Sequence, residues 1–563
     1  MNDMLKTSSQ DTNKDPIEAL IESMSLREKI GQTVQLGLNS RFYQGEALED
    51  YLAEYPVGSV FCGGEIITHA EGRAATVREQ LARVQCASRL PLLVAGDLEA
   101  GAGQAVADKT RFPTLMSLAA CDDEEMAYEY GKYTALEGRE AGFNWTFAPV
   151  VDVQKNWLNP IVNNRGMGDD AGRIVRLAGA VIQGMQDHGL AACAKHFPGD
   201  GVDFRDQHLA TTVNSLTESE WWELHGGVFQ SVIDRGVQTI MPGHIALPWC
   251  DPVRAKSGRP RPATLSEPIL TQLLRERMGF EGVLVTDALI MAGFVAWAPR
   301  EERLLEAFIA GNDVMLWPEK DYYGLMERAI GSGRVSVERL DASVRRILKL
   351  KQKLGLLDLA DASEQFAPIT EDPSVREKAV ELSKRVADQS ITLVRNRENV
   401  LPLDADKVRT VLLHSAIPEH VSDMHIDALA EKLEARGLEV TRHKNGNCLD
   451  VNKMEQAGKT WDAYLVVYSL QIHQVKNTVR PVGELGEVQW AQQYVETMKP
   501  ITISLNTAYL TFDNPYLDTL VNAYNTHSTT IDALDRALFG DIPFAGKSPV
   551  ELEPIPERTG YLE

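Results

Sequence analysis

Between residues 31 and 318 one local pattern recurs eight times: a short apolar run, then a stretch with helical spacing. The runs are GQTVQLGL (31–38), VGSVFCGG (57–64), LPLLVAGD (90–97), FNWTFAPV (143–150), AACAKHF (191–197), VQTIMPGH (237–244), GVLVTDA (282–288) and NDVMLWP (312–318). They are rich in β-branched residues and do not alternate apolar with polar. A strand that is apolar on both faces belongs to a parallel sheet covered by helices. Eight such units in this length predict an α/β protein whose N-terminal part is a (β/α)₈ TIM-like barrel. The intervening helices carry their own punctuation. Residues 215–236 open with a capping box, Ser215 or Thr217 ahead of Glu218 or Glu220, and stop at Gly236; residues 266–279 run from Ser266 to Gly279.

Polar residues close several of these runs. Asp97 ends the third, Lys195 and His196 the fifth, His244 the sixth and Asp287 the seventh. Any one of them is explained by a structural hydrogen bond at a strand end. As a set they mark the C-terminal face of a barrel, where active sites of this architecture lie.

After residue 350 the pattern changes. Acids, prolines and small residues crowd the segment that begins LLDLADASEQF. Further on come the runs ITLVRN (391–396), VRTVLLHSA (408–416), LEVTRHK (438–444), AYLVVYS (463–469), ITISLN (501–506) and TLVNAYN (519–525), with an amphipathic helix around 422–436. The expected organisation is a barrel over 1–355, a linker over 356–375 and an α/β/α sandwich over 376–563.

The densest chemistry lies in KHFPGDGVDFRDQHL (195–209), with two histidines and three aspartates among glycines and a proline. A metal site is one reading, since Asp200, Asp203, Asp206 and His208 are all donors; their spacing matches neither an EF-hand loop nor H-E-x-x-H, so no metal is assigned. General acid–base work is another. Asp206 and His208 are two apart, so in extended chain they share a face, and the carboxylate can fix the imidazole's tautomer. Gly199 and Gly201 suit a mobile loop rather than a packed one. Spacing alone leaves open a surface loop whose acids cap helices. Asp287, at the end of an apolar strand, is placed to act as a nucleophile. Lys195 and Arg165 are suited to positioning hydroxyl groups and keeping carboxylates ionised.

These motifs resemble the family 3 glycoside hydrolases. KHFPGDG (195–201) is similar to that family's K-H-F-P-G-x-G, and GVLVTDALIM (282–291) to its nucleophile strand. NWTFAPVVDV (144–153) and NNRGMGDD (163–170) resemble N-x-x-x-A-P-V-x-D-V and R-x-F-G-D, with Met167 in place of phenylalanine. SITLVRNRENVLPL (390–403) and ALFGDIPFAGKSPV (537–550) resemble the second domain of two-domain members. DQH at 206–208 is similar to the D-x-H of the β-N-acetylglucosaminidase subgroup. The resemblance implies an exo-acting, retaining enzyme that removes terminal β-linked GlcNAc from chito-oligosaccharides or cell-wall muropeptide fragments, without a cofactor. It implies Asp287 as nucleophile, His208 as acid/base, Asp206 as its orienting partner, and Asp97, Arg165, Lys195 and His196 around the terminal sugar. It also places an X–Pro cis peptide at Phe197–Pro198. Phosphorolysis, β-glucosidase or β-xylosidase action and non-catalytic sugar binding are the alternatives.

Asp plus Glu number 80 against 57 Lys plus Arg, a formal charge of −23, which disfavours nucleic acid or an anionic membrane as partner. The N-terminus lacks an apolar signal core, no run approaches the ~20 residues of a membrane helix, and Cys62, Cys86, Cys121, Cys193, Cys250 and Cys448 form no C-x-x-C pair. The expectation is a cytoplasmic protein with reduced thiols. For the second domain, walling the pocket, bracing the barrel and pairing two copies into a homodimer all stay open.

Overall fold

The computed structural model describes residues 15–39, 47–63, 73–367, 372–419, 421–446, 448–470, 472, 474–475 and 478–552. The polar start of the chain (1–14) and residues 368–371 of the expected linker lie outside them. Two compact units emerge, and neither is contiguous in sequence. One comprises Met1–Arg111, Ala127–Asp152 and Ala178–Ala379; the other comprises Phe112–Met126, Val153–Leu177 and Val380–Glu563.

Each of the eight apolar runs yields a strand of the first unit: β1 Val34–Gly37, β2 Ser59–Phe61, β3 Leu93–Gly96, β4 Trp145–Thr146, β5 Cys193–Phe197, β6 Thr239–Pro242, β7 Val283–Leu284 and β8 Met315–Leu316. Ladders join β8–β1–β2–β3–β4 and β5–β6–β7, all parallel. Isolated parallel bridges join the two groups at both seams, Trp145 to Ala191 and Val150 to Lys195 at one and Val285 to Val314 at the other. Neighbours in sequence are therefore neighbours around a full ring of eight strands, which has no exposed edge. Side chains of Leu93, Trp145, Cys193, Met241, Val283 and Leu316 share one buried cluster, so the ring is filled rather than open. Trp145 can sit fully buried within it because its indole N–H donates to Thr239 Oγ1 at 2.9 Å.

The helix signals are realised locally. Thr217 and Glu220 form a reciprocal capping box at the start of Glu218–Trp221, and Gly236 takes a left-handed φ of 79° beyond the end of Gly227–Asp234. The start of the expected linker is not extended chain. Leu356–Asp358 and Ala362–Phe366 form short 3₁₀ turns, Phe366 is buried, and Arg78 donates to the carbonyls of Gln365 and Ala367.

The second unit is a six-stranded sheet. Its strands are β9 Thr392–Asn396, β10 Thr410–Ala416, β11 Glu439–Lys444, β12 Ala463–Tyr468, β13 Ile501–Ser504 and β14 Thr519–Asn522, in the order β9–β14–β13–β12–β10–β11. Only β9 is antiparallel to its neighbour. Alternate residues of β12 feed two different cores. Leu465 and Val467 pack with Leu429, Leu433, Ile531 and Leu534, whereas Tyr464, Val466 and Tyr468 pack with Val451, Val488 and Ala491. Both faces are thus covered by helices, an α/β/α sandwich. The two early segments are stitched into this unit. Lys547 N–H donates to the Ala120 carbonyl at 2.9 Å, Asn164 Nδ2 to that of Tyr524 at 2.8 Å, and a Cβ on Gly168 (φ 102°) would fall 1.9 Å from Pro549 O.

Among the described residues no helix is long and apolar enough to cross a membrane. The five described cysteines, Cys62, Cys86, Cys121, Cys193 and Cys250, are free; the Cys448 side chain lies outside the described set.

Candidate active site

Asp287 follows β7 at the C-terminal end of the barrel. Its N–H donates to Pro242 O on β6 at 3.2 Å, and its Oδ1 accepts the Ala288 N–H at 2.7 Å. Burial opposes its ionisation, yet His196, His244, the Ala288 N–H and His208 together outweigh burial and hold the carboxyl below its usual range. The group is therefore an anion at neutral pH, poised in a partly dry site.

His208 lies on the loop after β5. Its Nδ1 donates to Asp206 Oδ1 at 2.7 Å, and the same oxygen accepts the His208 backbone N–H at 2.8 Å. The Asp206 carboxylate is fully buried, while the imidazole retains 23% of its exposure. One atom thus anchors both ring and main chain, Nδ1 is committed, and Nε2 is the nitrogen left for proton transfer.

The first part of this loop is packed, where its glycines suggest an open turn, while Phe204, Arg205 and Leu209 further on are exposed. Residues 196–201 are buried, and the chain is tied down from three sides. Trp221 Nε1 donates to Pro198 O at 2.7 Å and Asn214 Nδ2 to Gly199 O at 3.0 Å. Ala292 N–H donates to His208 O at 3.0 Å, Gly293 N–H to Gln207 O at 3.2 Å, and His244 N–H to Gln207 Oε1 at 2.9 Å. Gly199 serves packing. Gly199 has φ 116°, and a Cβ there would lie 2.2 Å from Nδ1 of the buried His225. The Gly199→Ala variant is expected to lose more than the ~1–3 kcal/mol of backbone strain alone. A thermal unfolding midpoint lowered by at least about 3 °C, read by calorimetry, checks this.

Lys195 is 3% exposed and holds two carboxylates, Glu99 at 2.7 Å and Asp97 at 3.2 Å. Asp97 keeps 46% of its side chain exposed, so it is the most accessible member of this trio. His196 donates from Nδ1 to Asp152 Oδ2 at 2.8 Å, and Asp152 Oδ1 accepts the N–H groups of His196 (3.0 Å) and Asp200 (2.7 Å). Burial works against the Asp152 anion, but the field and hydrogen bonds of His196 hold its carboxyl below the usual range. The Phe197–Pro198 peptide is cis, as the resemblance implies; Lys195–His196 and Ala148–Pro149 are cis as well.

The structure thus brings Asp97, Lys195, His196, Asp206, His208 and Asp287 to the strand ends of the first unit. Arg165 it places on the turn Asn163–Arg165, in a segment that clusters with the second unit; its guanidinium donates to Ile161 O at 3.1 Å.

Two contributors, Glu99 and Asp152, escape a reading by residue type, and the role of a third, His244, is visible only in the structure. Glu99, two positions after Asp97, is the shorter partner of Lys195. Asp152 follows the fourth run, and the rule of a polar residue closing an apolar run finds it once that run is extended to FNWTFAPVVD. His244 closes the sixth run but has a positioning role. Its Nε2–H donates to Ala288 O at 3.0 Å, and its Nδ1 lies 2.8 Å from the Thr264 hydroxyl, which also donates to Gly243 O at 3.0 Å. Burial disfavours a second proton, lowering its pKa against the pull of Asp287. His244 therefore grips the residue next to Asp287.

Comparison with known proteins follows the same lines. The glycosyl hydrolase family 3 N terminal domain matches residues 25–350. A β-N-acetylglucosaminidase/β-glucosidase of Cellulomonas fimi is 33% identical over 497 residues, covering 85% of this chain and 86% of that one. β-Hexosaminidase A of Pseudoalteromonas piscicida is 27% identical over 544 residues, covering 86% and 88%. Among solved structures, the β-glucoside phosphorylase BglX bound to 2FGlc superposes with TM-score 0.83 at 30% identity, over 95% of this chain and 96% of that one. The family 3 β-N-acetylglucosaminidase of Paenibacillus sp. str. FPU-7 does so with TM-score 0.80 at 27% identity, over 94% and 99%. With a carboxylate and a carboxylate-bound imidazole at the strand ends of its barrel, and a family match spanning more than half its length, the chain belongs to glycosyl hydrolase family 3.

Proposed function

We propose that this glycoside hydrolase is an exo-acting, retaining β-N-acetylglucosaminidase in which Asp287 is the nucleophile and His208 the acid/base, with Asp206 orienting it. The observation that carries this reading is the 2.7 Å bond between His208 Nδ1 and a fully buried Asp206 carboxylate. The names of the Cellulomonas, Pseudoalteromonas and Paenibacillus relatives support the same substrate class.

In the first step an Asp287 oxygen attacks C1 of the terminal sugar as the C1–O bond breaks, and His208 Nε2 gives its proton to the departing oxygen. Charge at C1 peaks between these events, in an oxocarbenium-like state beside an ionised carboxylate. The covalent glycosyl-aspartate is then attacked at C1 by water. The water's proton passes to Nε2, the C1–Oδ bond breaks, and both groups return to their starting states. Asp97, Lys195, His196 and Arg165 are assigned to the hydroxyls of the terminal sugar. For Asp97 the support is its exposed side chain beside Lys195; for Arg165 it is the motif alone. Chito-oligosaccharides and muropeptide fragments both present the required terminal GlcNAc.

Phosphorolysis is the second reading, favoured by the likeness to a β-glucoside phosphorylase. After donating its proton His208 is neutral, so it repels an incoming phosphate less than a carboxylate base would. Product analysis on aryl GlcNAc, aryl glucoside and a muropeptide, each with and without phosphate, separates the readings. Free GlcNAc as the main product, with aryl GlcNAc turned over faster than aryl glucoside, is the expected outcome. GlcNAc 1-phosphate as the main product would make the enzyme a phosphorylase, and faster turnover of aryl glucoside would sink the assignment to GlcNAc.

A further inference from the structure

The glycine-rich stretch GAGQAV (101–106) has no part in the chemistry above, yet it lies between Glu99 and Thr110 in the segment that follows β3. That segment is a closed loop. Ala100 N–H donates to Gln104 Oε1 at 2.7 Å, Val106 N–H to Ala102 O at 2.9 Å, and Gly103 N–H to Thr110 O at 2.9 Å. Its two limbs touch at Gly103, where a Cβ would fall 2.3 Å from Arg111 N. With the limbs bonded to each other, a shift at one end of the loop is passed to the other.

One helix holds both ends. Tyr130 and Glu137 lie on Glu124–Glu140 about two turns apart, so they share a face roughly 10 Å long. Both are fully buried. The Tyr130 hydroxyl donates to Glu99 O at 3.0 Å. Glu137 accepts the Thr110 N–H at 2.7 Å on one carboxylate oxygen and the Thr110 hydroxyl at 2.9 Å on the other. Lys109 Nζ adds a bond to Glu140 Oε2 at 2.6 Å. Buried bonds of this kind ordinarily brace a fold and nothing more. Here the braced residue is Glu99, whose carboxylate is nearer to Lys195 Nζ, at 2.7 Å, than that of Asp97 at 3.2 Å. The place of the ammonium between the two acids therefore follows the place at which the helix holds the Glu99 main chain.

We propose that Tyr130 and Glu137 are positioning residues for the reaction, holding Glu99 so that Lys195 is aimed at the terminal sugar. The inference rests on the assignment of Lys195 to the sugar's hydroxyls made above. Neither residue touches substrate. Their effect passes through Glu99 and Lys195, where a misplacement of about 1 Å can cost on the order of 10²-fold in rate.

A double-mutant cycle on the full-length protein tests this. It is run on whichever of aryl GlcNAc and aryl glucoside the wild type turns over faster, so a wrong choice of sugar leaves it standing. Tyr130→Phe removes one hydroxyl and keeps the ring; kcat/KM should fall at least about tenfold. Glu99→Gln keeps the shape and removes the charge beside Lys195; its loss should be at least as large. In the double variant the losses should not multiply, and kcat/KM should lie within about twofold of Glu99→Gln alone. Multiplied losses would make Tyr130 a brace of the fold and overturn the inference. So would kcat/KM within about twofold of wild type in a folded Tyr130→Phe protein when Glu99→Gln is impaired. Wild-type activity in Glu99→Gln would instead remove Lys195 from the sugar site, and the inference would fall with that assignment. If Tyr130→Phe does not fold, Glu137→Gln, which keeps one carbonyl oxygen for Thr110, takes its place in the same cycle with the same expected results.

Discussion

Asp287→Asn should reduce kcat on aryl GlcNAc substrates by at least about 10³-fold, because the amide cannot form the glycosyl-enzyme ester and members of a catalytic unit cannot replace one another. The fold should survive. The carboxamide oxygen of the variant could still accept the Ala288 N–H that Asp287 Oδ1 accepts now, at 2.7 Å. The surroundings favour the charged carboxylate despite its burial, and a neutral amide loses that favourable term. Thermal unfolding is therefore expected at the same temperature or slightly below, with the protein still fully folded under assay conditions. The same electrostatics set the acid limit of the wild type. A carboxyl held below its ordinary range stays ionised wherever an ordinary carboxylate does, so loss of kcat/KM within that range has to come from another group. Near-normal turnover by a well-folded D287N protein would remove Asp287 from its role.

His208→Ala should behave differently. Proton donation to the departing oxygen is worth ~10²–10⁴ where that oxygen is a poor leaving group. The loss should reach this range on chito-oligosaccharides and stay below about tenfold on dinitrophenyl GlcNAc, whose phenolate leaves without help. Steady-state kinetics on the two substrates give the comparison directly. Equal losses would mean that the imidazole only holds the sugar in place.

The strand pattern was legible because each barrel strand is apolar on both sides, and the two cores that share alternate residues of β12 show why the same holds in the sandwich. The Asp206–His208 contact was legible because it is local: two residues apart, one oxygen serving ring and backbone. What sequence could not show was contact made only by closure of the ring. Asp152 meets His196 because β4 and β5 become neighbours, though the two residues are 44 apart in the chain. His244 reaches Ala288 for the same reason on β6 and β7. The glycines of the fifth loop were misleading for a related reason. Flexibility was inferred from the absence of side chains, whereas Gly199 is small because the His225 ring occupies the space. Likewise, nothing local in 153–177 tells that this stretch, Arg165 included, clusters with strands more than 200 residues later.

The two carbonyl–amide bonds that fasten Gln207 and His208 to Gly293 and Ala292 have an energetic consequence. They tie the main chain of His208 to the segment just after Asp287, so the spacing of the proposed acid/base and the proposed nucleophile is built into the fold. A pair proposed as nucleophile and acid/base is thereby held in place before any glycan arrives, so binding energy need not be spent on bringing the two together.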